Sequence, residues 1–362
     1  MRILHTESSR NIGGQELRVI EEMEWFQQHG HEVWLAAADG SGIQRAAAAR
    51  GLNAIPLRFR GSFNPATISR LFLAARKRRV DLLVSHSSRD TFAAWPVSRL
   101  LRVPLVRYQH ICVTLKDSFM HRLAWRRAAT RIVAVSESIK KRLLKQKLAG
   151  AETIEVIGEY VDASVFHPAV DPGGTRARLG IPADATLITQ IGMIRPDKGQ
   201  QLLVQAADEI LQKHPGCWFM FVGSPTEPRH LEELKAAVSQ MREPGRVVFA
   251  GFQSDLAPCI AASDIICLTS LLEAQSKVVP QAFAMNRLVV ASQVGGIPEL
   301  VRHGMNGLLY KKGDARALAA AVDAALSCDN SKLVASASEL ARSMDIHRVM
   351  ERTLNFYQSL IA

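Results

Sequence analysis

Residues 270–299 read SLLEAQSKVVPQAFAMNRLVVASQVGGIPE, and this stretch decides the fold. It holds a carboxylate (Glu273), a helix start just after it, a short apolar strand at 288–291 and a Gly-Gly turn at Gly295 and Gly296. Ser276 is expected to cap the helix. The amides of Lys277, Val278 and Val279 then leave the helix start without intrahelical partners. Such a terminus favours an anion, and a diphosphate fits it well. Pro280 falls in the first turn, where a missing N–H is tolerated. Glu273, just ahead of that anion site, can accept hydrogen bonds from hydroxyls. An anion site beside a hydroxyl acceptor is what a nucleotide-sugar pocket requires.

Working outward, short apolar strands alternate with amphipathic helices, the pattern of parallel α/β layers. In the first half, strands are expected at 2–5, 32–37, 82–85, 105–108 and 131–135, with helices at 17–29 and from about Glu137. Residues 162–182 carry three Pro, three Gly and few apolar residues, as a linker does. A second alternation follows, with strands at 187–191, 218–222, 247–250 and 265–268 and helices at 201–213 and 230–240. Two Rossmann-like domains result: 1–167, to which the amphipathic C-terminal segment 346–362 is added, and 168–345. In a doubly wound sheet ligands lie at the carboxyl ends of strands, and the residues discussed below all follow such ends.

The chain of 362 residues is long enough for two ordinary cores. No apolar run approaches the ~20 residues of a membrane span. The start, MRILHTESSRN, lacks an apolar core of signal-peptide length, so a cytoplasmic location is expected. Its five Cys, at 112, 217, 259, 267 and 328, form no C-x-x-C, which supports neither a zinc site nor a disulfide framework. Charge is uneven. Residues 1–150 hold 26 Lys and Arg against 11 Asp and Glu, whereas the remainder holds 19 against 23. The excess gathers at 76–79, 122–131 and 140–147, and implies an anionic partner for the first half. Solvated helix faces are the plainer reading of any one cluster.

Further loops carry chemistry. The segment 192–199, GMIRPDKG, leaves a strand with two cations, Arg195 and Lys198, suited to grip a diphosphate as charge grows on it; an ordinary surface turn is the plainer reading. Gly13 and Gly14 follow the first strand without the third Gly of a dinucleotide fingerprint. His110, His86 and His5 each lie at a strand end, although an isolated His is usually structural. Ser136 reads as a helix N-cap.

Taken together, these segments resemble the family-four retaining glycosyltransferases of GT-B fold (group 1 glycosyltransferases), including bacterial lipopolysaccharide-core enzymes. The resemblance rests on Glu273 followed by Gly295-Gly296-Ile297-Pro298-Glu299, and is stronger over 185–312 than over 1–165. Two departures stand out. Ala274, Gln275 and Ser276 replace the family's Gly-rich residues, and Gln281 replaces its second Glu, which holds the ribose hydroxyls. Gln can both donate and accept, but the charge is lost. The resemblance implies two Rossmann-like domains facing across a cleft, with the last helix crossing back to the first domain. It implies donor contacts from Gly13, Gly14, Arg195, Lys198, Phe252, Glu273, Ser276, Lys277, Val278 and Gln281. Acceptor contacts fall to Glu16, His86, Arg89 and His110, and the catalytic group comprises His110, Glu273, Arg195 and Lys198. Domain closure would bring His110 and the Gly13–Gly14 loop onto the donor.

The reaction expected is transfer of a sugar from a UDP- or GDP-linked donor to a hydroxyl, with retention and with neither metal nor other cofactor. The basic first half suits work at an anionic membrane face. That points to a peripheral enzyme on the inner face of the bacterial inner membrane. Its acceptor would be a phosphorylated, lipid-linked glycan of the lipopolysaccharide core, or one linked to polyprenol or phosphatidylinositol. Three other readings stay open: a nucleotide-sugar epimerase or hydrolase on a related fold, a transferase homologue that binds without catalysis, and a nucleic-acid-binding protein. Net charge alone supports the last, with no aromatic platform beside the basic runs, and no nucleic-acid partner is expected.

Overall fold

The computed structural model describes residues 1–61, 63–111 and 119–361; Cys112 lies outside them. The chain divides into two compact units, Met1–Gly158 with His347–Ala362, and Glu159–Ile346. The division thus falls before the linker expected at 162–182. Val161 donates its amide to the Met344 carbonyl and accepts from the Ile346 amide. Phe166 and Val170 pack on an apolar cluster of the second unit. The Pro- and Gly-rich stretch is therefore surface chain of the second unit.

Among the described residues the first unit holds seven parallel strands: β1 (Arg2–Glu7), β2 (Glu32–Ala38), β3 (Asn53–Leu57), β4 (Leu82–Ser85), β5 (Leu105–Gln109), β6 (Arg131–Ala134) and β7 (Ile154–Val156). Their order is β3-β2-β1-β4-β5-β6-β7. The order reverses between β1 and β4, which makes that gap the topological switch point. β3 escaped the reading of the sequence because Pro56 interrupts it; Pro is tolerated there because β3 lies at the sheet edge. β7 was missed because three residues give no periodicity. Leu4, Ala36, Leu83 and Leu105 pack with Leu71, Ala75, Ala94 and Val97 of the helices Pro65–Lys77 and Ser88–Leu101 on one side of the sheet. From His347 onward the helix Ile346–Ile361 belongs to this unit, as expected. Tyr357 Oη donates to Glu22 Oε1 at 2.6 Å, and Trp25 Nε1 donates to His347 Nδ1 at 3.0 Å.

The second unit holds β8 (Thr186–Ile191), β9 (Cys217–Val222), β10 (Val247–Gly251), β11 (Ile265–Leu268), β12 (Leu288–Ser292) and β13 (Leu308–Tyr310). Their order is β10-β9-β8-β11-β12-β13, again all parallel, with the switch between β8 and β11. Successive strand residues face opposite sides. Ile265 and Cys267 join one core cluster with the helices Gln200–Lys213 and Ala315–Ser327. Ile266 and Leu268 join the other, with the helices Val278–Ala284 and Ser331–Ser343. With both faces covered, the strands read as continuous apolar runs. The two Rossmann-like units bear out the expected α/β fold class. Among the described residues, no helix is long and apolar enough to cross a membrane.

Candidate functional site

The switch point of the second unit brings together two residues far apart in sequence. Lys198 ends the loop after β8, and Glu273 lies in the loop after β11. Lys198 Nζ stands 2.6 Å from Glu273 Oε2, both side chains largely buried. Ser270 Oγ donates to the same oxygen at 3.1 Å. Thr269 Oγ1 donates to the Lys198 and Gly199 carbonyls at 3.0 and 2.8 Å, and Gln190 Nε2 to the Lys198 carbonyl at 2.8 Å. The two loops are thus sewn to each other before any ligand arrives.

Two glycines make this approach possible. A Cβ on Gly199 would stand 2.2 Å from the Thr269 carbonyl oxygen, and one on Gly295 would stand 1.6 Å from the Glu273 carbonyl oxygen. Both have positive φ, 64° and 55°, a conformation that disfavours side chains. The G-G turn that marked the sequence is therefore the floor under Glu273.

Other expected residues are placed differently. The helix after Glu273 begins at Val278 with Lys277 as its N-cap and without a side-chain cap bond, so Ser276 does not cap it. The helix is one residue later than expected and only seven residues long, so its orphan amides begin after Lys277. Lys277 Nζ lies 4.9 Å over the Tyr160 ring. Arg195 is not at the Lys198–Glu273 pair. Its Nε lies 2.8 Å from Asp197 Oδ1, without the alignment of a hydrogen bond, and the residue lines a separate cavity of ≈ 410 Å³. Phe252 is 67% exposed beyond β10, the edge strand, two strands from β8. Gln281 is buried, and its Oε1 has no hydrogen-bond partner among the described residues. Such an acceptor is costly unless something satisfies it.

The first unit has its own cluster at the β1/β4 switch. His5 Nδ1 lies 3.1 Å from His86 Nε2, and His86 Nδ1 lies 3.0 Å from His110 Nε2. All three rings are buried, and burial holds each in its neutral form, His5 with a pKa lowered to about 3 and the other two well below the usual value. The far nitrogen of His5, Nε2, has no partner among the described residues. An orphan buried N–H is rarer than an orphan lone pair. On that ground His5 carries its proton on Nδ1 and donates to His86, which donates to His110. The tautomer is thus assigned from the network, and His110 holds its own proton on Nδ1.

Gly13 precedes the helix Gly14–Gln28 as its N-cap, and its amide donates to Glu16 Oε2 at 2.9 Å. Glu16 is thus committed to its own helix start. Gln15 Nε2 ties this loop to the His86 carbonyl at 3.3 Å and to Glu7 Oε2 at 2.5 Å. Gly13, Gly14, Glu16, His86 and His110 are therefore brought to one end of the sheet. Arg89 is exposed and lines a different cavity nearby. Ser136 caps its helix as expected, accepting from the Ile139 amide at 3.2 Å.

Two carboxylates here escaped the reading of the sequence. Glu7 ends β1 fully buried, and burial, with Asp90 as second cause, raises its pKa. Asp90 is fully buried too, accepts from the His86 amide and Thr6 Oγ1, both at 2.9 Å, and is raised by burial. For Glu7 the available signal was a charged residue closing a strand; Asp90 lies in the first turn of the helix Ser88–Leu101, where an acidic residue is ordinary.

The chain thus comprises two Rossmann-like parallel α/β units, the two-unit architecture of the GT-B class of folds. Comparisons agree. The family described as Glycosyl transferases group 1 matches residues 185–328, and that described as Glycosyltransferase Family 4 matches residues 12–165. The chain belongs to this group 1, family-four class of glycosyltransferases. A D-inositol 3-phosphate glycosyltransferase from Nocardioides is 32% identical over 247 residues, 64% of this chain and 54% of that protein. The chain thus spans about half the length of such curated relatives. The Anabaena protein HepE, solved with UDP and glucose, superposes with a TM-score of 0.87 at 22% identity over 99% of this chain and 100% of that one. WaaG, a glycosyltransferase involved in lipopolysaccharide biosynthesis, superposes at 0.73 with 15% identity over 98% and 99%.

Proposed function

We propose that this chain is a retaining glycosyltransferase that moves a sugar from a uridine diphosphate donor to a hydroxyl of a phosphorylated acceptor. The observation that carries this reading is the Lys198–Glu273 pair at the β8/β11 switch. A diphosphate leaving group gains negative charge as the glycosidic bond lengthens, and the fixed ammonium of Lys198 stabilises that charge more than the ground state. Glu273 beside it accepts hydrogen bonds from sugar hydroxyls. Gln281 Oε1, buried and without a partner among the described residues, suits a ribose hydroxyl as donor. Lys198 supplies the neutralisation at the phosphates, so UDP binding is expected to be insensitive to EDTA. Arg195, Phe252, Ser276, Lys277 and Val278 remain candidates for outer contacts to the donor.

The choice of uridine is supported by HepE, which was solved with UDP and glucose. In the first unit, the histidine chain presents His110 as a hydrogen-bond donor to a substrate oxygen, not as a base. The Gly13–Gly14 turn and His86 accompany it on the acceptor side. A phosphorylated acceptor is supported by the charge excess of residues 1–150 and by the name of the curated relatives. Lipopolysaccharide core at the inner face of the inner membrane is the setting we favour, with an inositol phosphate as the second reading because of those relatives' names.

Calorimetry with UDP, GDP and ADP, with and without EDTA, tests the donor reading. UDP binding that survives EDTA and weakens in Lys198→Ala is the expected result. Failure of all three nucleotides to bind overturns it. Sugar release from the donor without any acceptor, at a rate no acceptor raises, favours a hydrolase instead.

A further inference from the structure

Four guanidinium groups line one cavity of ≈ 370 Å³ in the first unit: Arg10, Arg58, Arg60 and Arg89. Ser8, Leu57 and Phe59 complete much of its wall. The cavity sits beyond the carboxyl ends of β1, β2 and β3 and at the start of the helix after β4, where doubly wound sheets hold ligands. Among the described residues its one carboxylate is that of Asp39, 3.8 Å from Arg58 Nε. Among the described residues, no carboxylate pairs with Arg10, Arg60 or Arg89. Gathering like charges without counterions raises the free energy of the folded unit, and an oxyanion of two charges removes that cost. Arginine suits the task, since its planar fork meets a phosphoryl group with two parallel hydrogen bonds. The volume exceeds what a bare ion needs and falls in the range that takes a small ligand.

We propose that this cavity binds the phosphoryl group of the acceptor, with Arg10, Arg58, Arg60 and Arg89 as its ligands. On the transferase reading the histidines face the acceptor, and this cavity is a separate subsite for its anionic end. The inference rests on that reading for the word acceptor only; the anion site stands or falls by itself.

The test uses the full chain with saturating UDP, so that phosphate does not report on the donor site. Should UDP not bind, the Lys198→Ala chain replaces it; the transferase reading then fails while the cavity is still judged. The probes are inorganic phosphate, glucose 6-phosphate, and phosphatidylcholine vesicles with and without phosphatidylglycerol. Arg60→Ala/Arg89→Ala alters two exposed side chains and is expected to keep the fold, checked by circular dichroism and by UDP affinity. We expect phosphate and glucose 6-phosphate to bind wild type and to lose at least about 10-fold in affinity in the double variant, as loss of charge-assisted bonds requires. The control Arg76→Ala/Arg79→Ala leaves both unchanged. Loss confined to phosphatidylglycerol vesicles supports the site with a lipid phosphate as its source. Affinity for every probe equal in wild type and double variant, an equal loss in the control, or no binding of any probe overturns the proposal.

Discussion

Lys198 Nζ and Glu273 Oε2 meet at 2.6 Å across a sequence separation of 75, because the loops that carry them leave adjacent parallel strands at the switch of one sheet. The pair is largely buried, so each member is costly to leave alone. Lys198→Ala removes the charge that faces the leaving diphosphate. A charge-assisted hydrogen bond contributes roughly 1.5–3 kcal/mol, so UDP affinity is expected to fall about 10- to 100-fold. Glu273→Gln is expected to leave UDP affinity within about 3-fold while lowering discrimination among UDP-sugars. Calorimetry on both variants decides it; unchanged UDP binding in Lys198→Ala contradicts the assignment.

Gly295 carries a second prediction. Its φ is 55°, and a Cβ there would stand 1.6 Å from the Glu273 carbonyl oxygen, so even alanine forces the loop to move. Gly295→Ala is expected to cost roughly 2–4 kcal/mol of stability and to lower donor affinity by displacing Glu273. Urea denaturation and UDP titration read the two effects. Wild-type values for both would show that the loop tolerates the displacement and does not position the site.

At Gln281 the prediction has opposite signs in the two ligand states. Gln281→Glu puts a charge where the unpartnered Oε1 now lies buried. Without nucleotide, melting is expected to fall by roughly 2–6 °C, consistent with a cost of about 1–2 kcal/mol in a unit of this size. With UDP, whose ribose hydroxyls donate to the carboxylate, the stabilisation by nucleotide is expected to exceed that of wild type. Thermal scans with and without UDP test it, and a smaller UDP shift in the variant refutes it.

Glu7 makes the first unit sensitive to alkali. Its folded pKa is raised to about 8, first by burial and then by Asp90. The folded state therefore holds a proton that the unfolded state releases near the ordinary value of 4.5. That contribution to stability is complete below the unfolded pKa and is lost as pH rises through about 8. Glu7→Gln keeps the neutral shape and removes the loss. The melting temperature of the variant relative to wild type is expected to climb between about pH 5 and about pH 8.5; a constant difference would mean that Glu7 is already ionised.

The histidine chain acts from the acid side. Burial lowers the pKa of His5, His86 and His110, so the unfolded chain takes up protons near the ordinary value of 6.5 that the folded chain refuses. Their contribution is present above that pH and declines below it, by up to about 1.4 kcal/mol per pH unit for each ring. Ring-nitrogen NMR at about pH 6 is expected to show three neutral imidazoles, each protonated on Nδ1. An imidazolium signal, or a proton on His110 Nε2, defeats the arrangement.

Much of this was legible because it is local. Apolar runs at 265–268 and 288–291 announced β11 and β12, and Gly295-Gly296-Ile297-Pro298-Glu299 announced the turn beneath Glu273. Edge strand β3 was hidden by Pro56, and the helix after Glu273 starts one residue later than Ser276 suggested. Arg195 looked equivalent to Lys198 in the loop, yet it turned to its neighbour Asp197. Spacing along a chain does not fix which way a side chain leaves a turn.

The sequence by itself determined two parallel α/β units and the residue types available at their strand ends, since hydrophobic periodicity and glycine turns are properties of short segments. Only the tertiary structure decided which of those residues meet. Lys198 finds Glu273, His86 stands between His5 and His110, and Glu7 is buried near Asp90, because strand order places the ends of β8 and β11, and of β1 and β4, side by side. Strand order follows from long-range packing on both sheet faces, and no short stretch of sequence encodes it.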